Sequence, residues 1–547
     1  MIKLLLIPLL IVIALVTVVI VRFTLDKNIP YDVSTKNITV PTFEEIDLDF
    51  EQKLSDAESL PFTASAVIDI DNDGTEELFI GGGPGQKDVL FEFVDGQFKL
   101  LDQNIIEKPE MQDATFGSSV IDVDANGFSD LIVSRTSGVW LHLNENGRFS
   151  AKKLDLPISP DTSPLSVAIV DVNRDGYFDM YVAGYIKKEL VEGQNIFNKE
   201  GYGGTSLMLL NNGDNTFTDI TESSGLYYKH NTFMGMFVDV DNDGLEDLVV
   251  VHDTGQVRTW KNLGNAKFKN MHNPNSKQYS YPMGIAVTDY KNDGMVDFFF
   301  SNVGSTAPSF LVKGDLRDDQ LFNPKWIMFQ NKGNFEFDDV AEQAKLADYE
   351  FSWGAIFEDF NLDGRDDLVV SENYIGFPPH KVPFLRLPGR FLMQTETGEF
   401  AATGKESGVI NTGYGISPIT ADFNNDGYPD LVHINIAGKS KAFINNGGDA
   451  NYLKIKLPDT IASVAAKIMV MQSDGKVIYR DFVSGEGLSS DQSHIQIFGL
   501  EDASATEITV QYINGEKETI KGNFVNTLVQ FSPKTKGEET DEQRPAE

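Results

Sequence analysis

The stretch DIDNDGTEELFI, residues 69–80, decides the reading of this chain, because its pattern returns six times. The further copies are DVDANGFSDLIV from Asp122, DVNRDGYFDMYV from Asp171, DVDNDGLEDLVV from Asp239, DYKNDGMVDFFF from Asp289, DFNLDGRDDLVV from Asp359 and DFNNDGYPDLVH from Asp422. Successive first aspartates stand roughly 50–70 residues apart, which is the period of a β-propeller blade and not of a helical solenoid. Apolar runs enter and leave each copy, as in GMFVDV at 235–240 and DLVVV at 247–251, so the acidic loop sits between two strands.

Almost every copy offers oxygen from the side chains at positions 1, 3 and 5, places glycine at 6 and a carboxylate at 9. Calcium takes six to eight hard oxygen ligands, and a short loop can supply them from alternate residues plus one main-chain carbonyl. The expected ligand sets, with position 7 giving its carbonyl, are Asp69, Asp71, Asp73, Thr75 and Glu77 in the first loop and Asp122, Asp124, Asn126, Phe128 and Asp130 in the second. The third and fourth offer Asp171, Asn173, Asp175, Tyr177 and Asp179, and Asp239, Asp241, Asp243, Leu245 and Asp247. The fifth has only Asp289, Asp293, Met295 and Asp297. The last two offer Asp359, Asn361, Asp363, Arg365 and Asp367, and Asp422, Asn424, Asp426, Tyr428 and Asp430. The EF-hand shares the first six positions but needs Glu at position 12, where this chain has Ile80, Val133, Val182, Val250, Phe300, Val370 and His433. In the fifth loop position 3 is Lys291, which cannot donate an electron pair while protonated, so that site is expected to be weak or empty unless the lysine swings out.

Charge supports the same reading. The chain of 547 residues has 45 Lys plus Arg against 82 Asp plus Glu, a formal charge of −37, which makes nucleic acid and anionic lipid surfaces poor partners. It has no cysteine, which excludes disulfides and thiolate chemistry. Residues 4–21, LLLIPLLIVIALVTVVIV, are free of charge and long enough for a membrane span. They predict an uncleaved single-pass signal anchor over 1–23 in the inner membrane, with the bulk of the chain facing the periplasm or the cell exterior; a cleaved signal peptide is the alternative.

Residues 24–60 read as a linker in which residues 38–40 or 46–50 supply a ring-closing strand, and 61–448 as the propeller. Within each repeat a third strand ends in an Asn-Gly type turn and an aromatic, as in WIMFQNKGNFEF at 326–337. Phe217, Phe268, Phe337 and Phe400 are expected to seal blade against blade. Four insertions, at 184–204, 271–282, 302–324 and 371–390, interrupt the period, and such loops are where rigid scaffolds keep binding chemistry. The last one gathers Tyr374, Phe377, His380, Lys381, Phe384, Arg386 and Arg390, a basic and aromatic group that stands as a candidate partner-binding loop. Residues 449–526 alternate in short strands divided by SDG and NG turns and predict a small β-sandwich, and 527–547 a disordered tail.

The seven DxDxDG loops resemble the FG-GAP or VCBS repeats of integrin α-subunit propellers and of bacterial surface proteins. The pieces NYLKIKLPD, AAKIMVMQSDGK, FVSGEGLSSDQSHIQIFGL and ITVQYINGE resemble the ASPIC/UnbV domain, so that the whole is similar to the bacterial relatives of cartilage acidic protein. Ala465, Ala466 and Lys467 depart from that domain's usual GAR, and Glu77 stands where other repeats have Asp. The resemblance implies an all-β fold, a seven-bladed integrin-α-like propeller followed by a small sandwich, with up to seven Ca2+ ions and a binding or adhesive role. With the anchor added, the expected function is a membrane-anchored envelope protein presenting its loops to a protein or glycan. The alternatives are a subunit or assembly factor of a membrane-anchored complex, or a calcium-dependent polysaccharide hydrolase or lyase. For the last, His252, His380, His433 and His494 are candidates by residue type only, with no acid partner at a telling spacing.

Overall fold

The structure is a computed structural model that describes residues 29–54, 60–191, 202–272, 278–305, 316, 320–374 and 386–532. Each acidic loop joins the first two strands of a four-stranded antiparallel meander. In the fourth repeat Thr232–Val238 enters the loop, Asp247–His252 leaves it, and Arg258–Asn262 and Phe268–Met271 complete the sheet in chain order. Phe237 lies opposite Leu248 and Val249 opposite Thr259. Both strands beside the loop are buried along their whole length. That explains their near-continuous apolar sequence, since both faces of the sheet are covered.

Seven such sheets form from the repeats. In the seventh, Gly415–Ala421, Asp430–Asn435 and Gly438–Asn445 are joined by Phe43–Gln52 from the start of the chain, paired antiparallel with Gly438–Asn445. Residues 43–52, not 38–40, are therefore the strand borrowed from the expected linker. Apolar clusters fill the spaces between neighbouring sheets. Ala286, Phe299, Trp326 and Met328 of the fifth sheet, for example, meet Ala355, Phe357, Leu368 and Phe400 of the sixth. Phe268, Phe337 and Phe400 are buried and Phe217 half-buried against Phe178.

Two expectations are corrected here. Among the described residues hydrogen bonding divides the strands among separate sheets, and no single sheet closes on itself as a propeller ring. Among the described residues no helix is long and apolar enough to cross a membrane, and the span expected over 1–23 lies outside those residues. The transmembrane helix, the single-pass inner-membrane placement and the membrane-complex partners are thus supported by no spanning element among the described residues.

Residues 451–530 form a second unit of two sheets. Ile495–Glu501, Asn451–Lys456 and Thr527–Gln530 make one, and Val477–Asp481, Lys467–Gln472, Ala505–Gln511 and Lys517–Phe524 the other. Leu453, Ile455, Ile468, Val470, Phe498, Ile508 and Val510 share the core between them. Thr527–Gln530, placed by sequence in the tail, is a strand because its partner Leu453–Lys456 offers a free edge to parallel pairing.

The two units are interlocked. The segment 484–493 of the second unit reaches the first strands of five sheets. Ser490 and Asp491 pair in parallel with Ser65 and Ala66, and Gly487 exchanges both hydrogen bonds with Ile285. Glu486 Oε1 accepts the N–H groups of Val287 and Phe357, Gln492 Oε1 that of Thr420, and Asp491 Oδ2 that of Val120. First strands are edge strands whose outward N–H groups would otherwise be buried without partners, and this one segment satisfies them. Gly487 has φ +102°, and a Cβ there would lie 2.5 Å from Ser490 Oγ, so the turn admits little else.

Candidate metal centre

The acidic loops share one backbone. Position 4 is left-handed in every copy (Asn72, Ala125, Arg174, Asn242, Asn292, Leu362 and Asn425, φ 51–60°), and so is the glycine at 6. These two turns curl the loop so that the position-1 carboxylate caps its own backbone. In the fourth loop Asp239 Oδ1 accepts the N–H of Asp243 at 3.0 Å and Oδ2 that of Gly244 at 2.8 Å. The sequence pointed to the glycine but not to position 4, where Leu362 and Arg174 give no hint of a positive φ.

Position 9 has a double role. Asp247 Oδ2 accepts the N–H of Val240 at 3.0 Å, and Oδ1 that of Asn262 on the third strand at 2.8 Å. The same pair of bonds recurs at Asp130, Asp179, Asp297, Asp367 and Asp430. Glu77 keeps the first of them, to Ile70 N at 3.0 Å. Each oxygen retains a lone pair for an ion.

Three loops bring three carboxylates within 4.8 Å of one another: Asp69, Asp71 and Asp73; Asp122, Asp124 and Asp130; and Asp239, Asp241 and Asp247. In the third, sixth and seventh loops position 3 is Asn173, Asn361 or Asn424, which brings an amide oxygen in place of a charge. In the fifth, the Lys291 ammonium lies 4.0 Å from the centre of the Tyr290 ring, over its face. The cluster fits a hard cation. Asp69 Oδ1 and Asp241 Oδ1 are buried and take no hydrogen bond. Burial first, then neighbouring carboxylates, push Asp247, Asp297 and Glu77 up to about 8, and burial lifts Asp130 and Asp179 to about 7. Buried acids that resist ionisation this strongly call for a compensating positive charge. Amino groups supply part of it. Lys261 Nζ bonds Asp241 and lies 2.6 Å from Asp243, and Arg365 bonds Asp363.

One further residue type escaped sequence reading. In the second, fifth and seventh sheets the Asn that ends the third strand ties the sheet to the loop of the sheet before it. Asn331 Nδ2 donates to Val240 O at 2.8 Å and to Val296 O at 3.1 Å, while its Oδ1 accepts the N–H of Gly333. Asn144 reaches Ile70 O and Asn445 reaches Phe360 O in the same way. Only its turn role was visible, in the Asn-Gly spacing. Replacing Asn331 with Ala leaves the buried Val240 and Val296 carbonyls without this donor and should cost about 2 kcal/mol, read as a lowered denaturation midpoint at unchanged m-value.

The candidate partner loop is divided. Phe377, His380, Lys381 and Phe384 lie outside the described residues. Tyr374 packs on Phe351 and the Arg386 guanidinium on Tyr414. Arg390 is buried, paired with Glu350 and with Glu372 at 3.0 Å, so it holds strand ends together and is closed to a partner. The histidines sit in packed surroundings. His252 Nε2 meets Tyr228 Oη at 2.8 Å, His433 Nδ1 meets Ser371 Oγ at 3.2 Å, and His494 Nδ1 meets Asp459 Oδ1 at 2.8 Å.

Loops and turns fall at one end of the sheets, and the second unit covers that end. A Cβ on Gly427 of the seventh loop would lie 2.0 Å from Tyr452, and the Gly499 position is as close to Asp359. Arg480 pairs with Asp366 and Glu358 beside the sixth loop. Lys467 Nζ bonds Asn242 Oδ1 and Gly294 O at 2.6 Å.

Acidic-loop meanders in series, capped by a two-sheet unit on the loop end, define an FG-GAP-type repeat protein. The model of the FG-GAP-like repeat matches residues 122–182 and 239–300, and that named ASPIC and UnbV matches 460–538. The chain is related to the cartilage acidic proteins. It is 23% identical over 323 residues to Cartilage acidic protein 1 of Homo sapiens, covering 56% of this chain and 46% of that protein. To the Xenopus tropicalis protein of the same name it is 22% identical over 316 residues, 45% of this chain and 48% of that protein. The chain thus spans about half the length of the curated relatives it matches. Among solved structures it is similar to the BP39L lectin of Burkholderia pseudomallei, with 9% identity, TM-score 0.43, 73% of this chain and 98% of that one covered. A likeness that slight carries no weight here.

Proposed function

We propose that this chain is a calcium-stabilised docking component that receives a protein partner on the end of its sheets away from the acidic loops. Up to seven Ca2+ ions serve as structural ions in the loops, with the fifth weakest because Lys291 contributes no oxygen there. The observation that supports the docking reading is the direction of the chain. A first strand runs into each loop and a second runs out, so second strands end at the opposite side. Long connections leave from there after Ile186, Phe300 and Glu372, and another arrives there before Ile285. Among the described residues the second unit covers the loop end and nothing of it reaches across this far end, which is the surface the reading assigns to a partner. The reading assigns the chain no reaction of its own.

The absence of native cysteine allows a clean test. Thr412→Cys and Gln112→Cys place a single thiol at exposed far-end positions, and Glu516→Cys places one on the second unit. With a thiol-linked photo-crosslinker and calcium present, one protein partner should be captured in stoichiometric yield from the first two positions. Capture from Glu516→Cys alone, or loss of binding to a glycan competitor in place of any protein adduct, would overturn the reading.

A further inference from the structure

The loop end carries cations that the repeats themselves do not supply. Lys454 and Lys456 stand two apart on the strand Asn451–Lys456 of the second unit, and so project to the same side. Lys454 Nζ donates to Asp422 Oδ2 at 2.7 Å and Asn425 Oδ1 at 3.2 Å, and Lys456 Nζ donates to Asp69 Oδ2 at 3.1 Å. Asp422 and Asp69 are the position-1 residues of the seventh and first loops, with side chains 2% and 4% exposed. On each, the oxygen that meets the ammonium is the one bonded to the loop glycine, at 2.8 Å to Gly427 N and 3.3 Å to Gly74 N. The other oxygen of Asp69 is buried without a hydrogen bond.

We infer that Lys454 and Lys456 set the metal affinity of the seventh and first loops, each acting as a fixed positive charge that shares the position-1 carboxylate with the dication. The inference rests on the reading of the loops as calcium sites. Each lysine is held where it is. Its strand lies against the seventh loop through Tyr452, and the segment 484–493 pins the second unit among five first strands. A dication entering either loop therefore meets an ammonium group a few ångströms away in a partly buried setting, where like charges repel strongly. The second loop is the contrast, since Asp122, Asp124 and Asp130 form no ion pair among the described residues. Calcium should accordingly fill the second loop before the first and seventh. Because the lysines belong to the second unit, its seating and ion binding in those two loops oppose one another, and reciprocally so.

The test is a calcium titration of the full chain by calorimetry, with terbium luminescence as a second readout. Lys454→Met and Lys456→Met should each tighten one class of sites by about ten-fold, and Asp426→Ala added to Lys454→Met should abolish the tightened site. Lys454→Gln keeps a donor to Asp422 without the charge and should behave like the methionine variant, covering the case in which the latter does not fold. Wild-type chain that binds calcium, with variants that bind it equally or more weakly, would overturn the inference and leave the calcium reading standing. A wild-type chain that takes up no calcium would remove both.

Discussion

Chelating calcium is expected to lower the melting temperature of the full chain by on the order of 10 °C or more, and restoring calcium to return it. A ligand at 100 times its dissociation constant stabilises the folded state by about 2.7 kcal/mol per site. Three loops already gather three carboxylates within 4.8 Å. Even those three, loaded together, would contribute about 8 kcal/mol, comparable to the whole stability of an ordinary domain. Without the ion, the cost falls on groups that cannot move away. Asp247 is tied by two backbone N–H groups, one in its own loop and one on the third strand, and sits beside Asp239 and Asp241. A loop that loses its ion therefore strains the start of its second strand and the end of its third, and melting should follow the repeats and not the second unit. The measurement is a thermal melt followed by circular dichroism across a series of buffered free-calcium concentrations. A midpoint that stays fixed down to micromolar free calcium would show that lysines and hydrogen bonds alone neutralise the loops.

The loops were legible because their physics is local. Carboxylates, turn and flanking strands fall within a dozen residues, so the acidic cluster of Asp239–Asp247 can be read without knowing what lies around it. The end of the third strand was half legible: Asn331 is visible as a turn residue, but its donor bond to Val240, ninety-one positions earlier, depends on how one sheet lies against the next. The segment 484–493 was visible only as a resemblance. Its partners are spread over five first strands, and nothing in GEGLSSDQS announces that Glu486 will satisfy two edge N–H groups. Closure into a single ring was inferred from repeat count, which fixes how many sheets form but not how they join. The partner loop shows the converse error: Arg390 was grouped by composition with a basic cluster, while the fold buries it between Glu350 and Glu372.

Asp88→Ala should be the most damaging single substitution away from the loops, costing about 3–5 kcal/mol. Asp88 stands at the start of the third strand of the first sheet and is fully buried, as is Arg135 at the end of the second strand of the second sheet. Arg135 Nη2 donates to Asp88 Oδ2 at 2.7 Å, and Lys108 Nζ lies 3.5 Å from Oδ1. Thr115 Oγ1 and Gly82 N also donate to Oδ1, at 2.7 and 2.8 Å. Burial pushes the Asp88 carboxyl up, but Arg135 and Lys108 outweigh it and hold it below the usual range. His142 is pushed down to about 3 by burial and by Arg135, so its neutral ring can accept from Arg135 through Nε2 at 3.0 Å. Removing the carboxylate leaves a guanidinium and an ammonium buried together, faced by the neutral His142 ring, the Trp140 ring at 5.4 Å, the carbonyls of Gly82, Gly83 and Gln86, and the more distant charge of Asp113. Asp88→Asn keeps an acceptor for Thr115 and Gly82 and loses the charge alone, so it should fall between Asp88→Ala and wild type. Arg135→Met, which leaves Asp88 its Lys108 partner and fills the space with apolar atoms, should cost less than Asp88→Ala. Urea denaturation of the three variants in saturating calcium gives the order directly; an Asp88→Asn variant as stable as wild type would mean that hydrogen bonding, and not the buried charge balance, holds the first two sheets together at their far end.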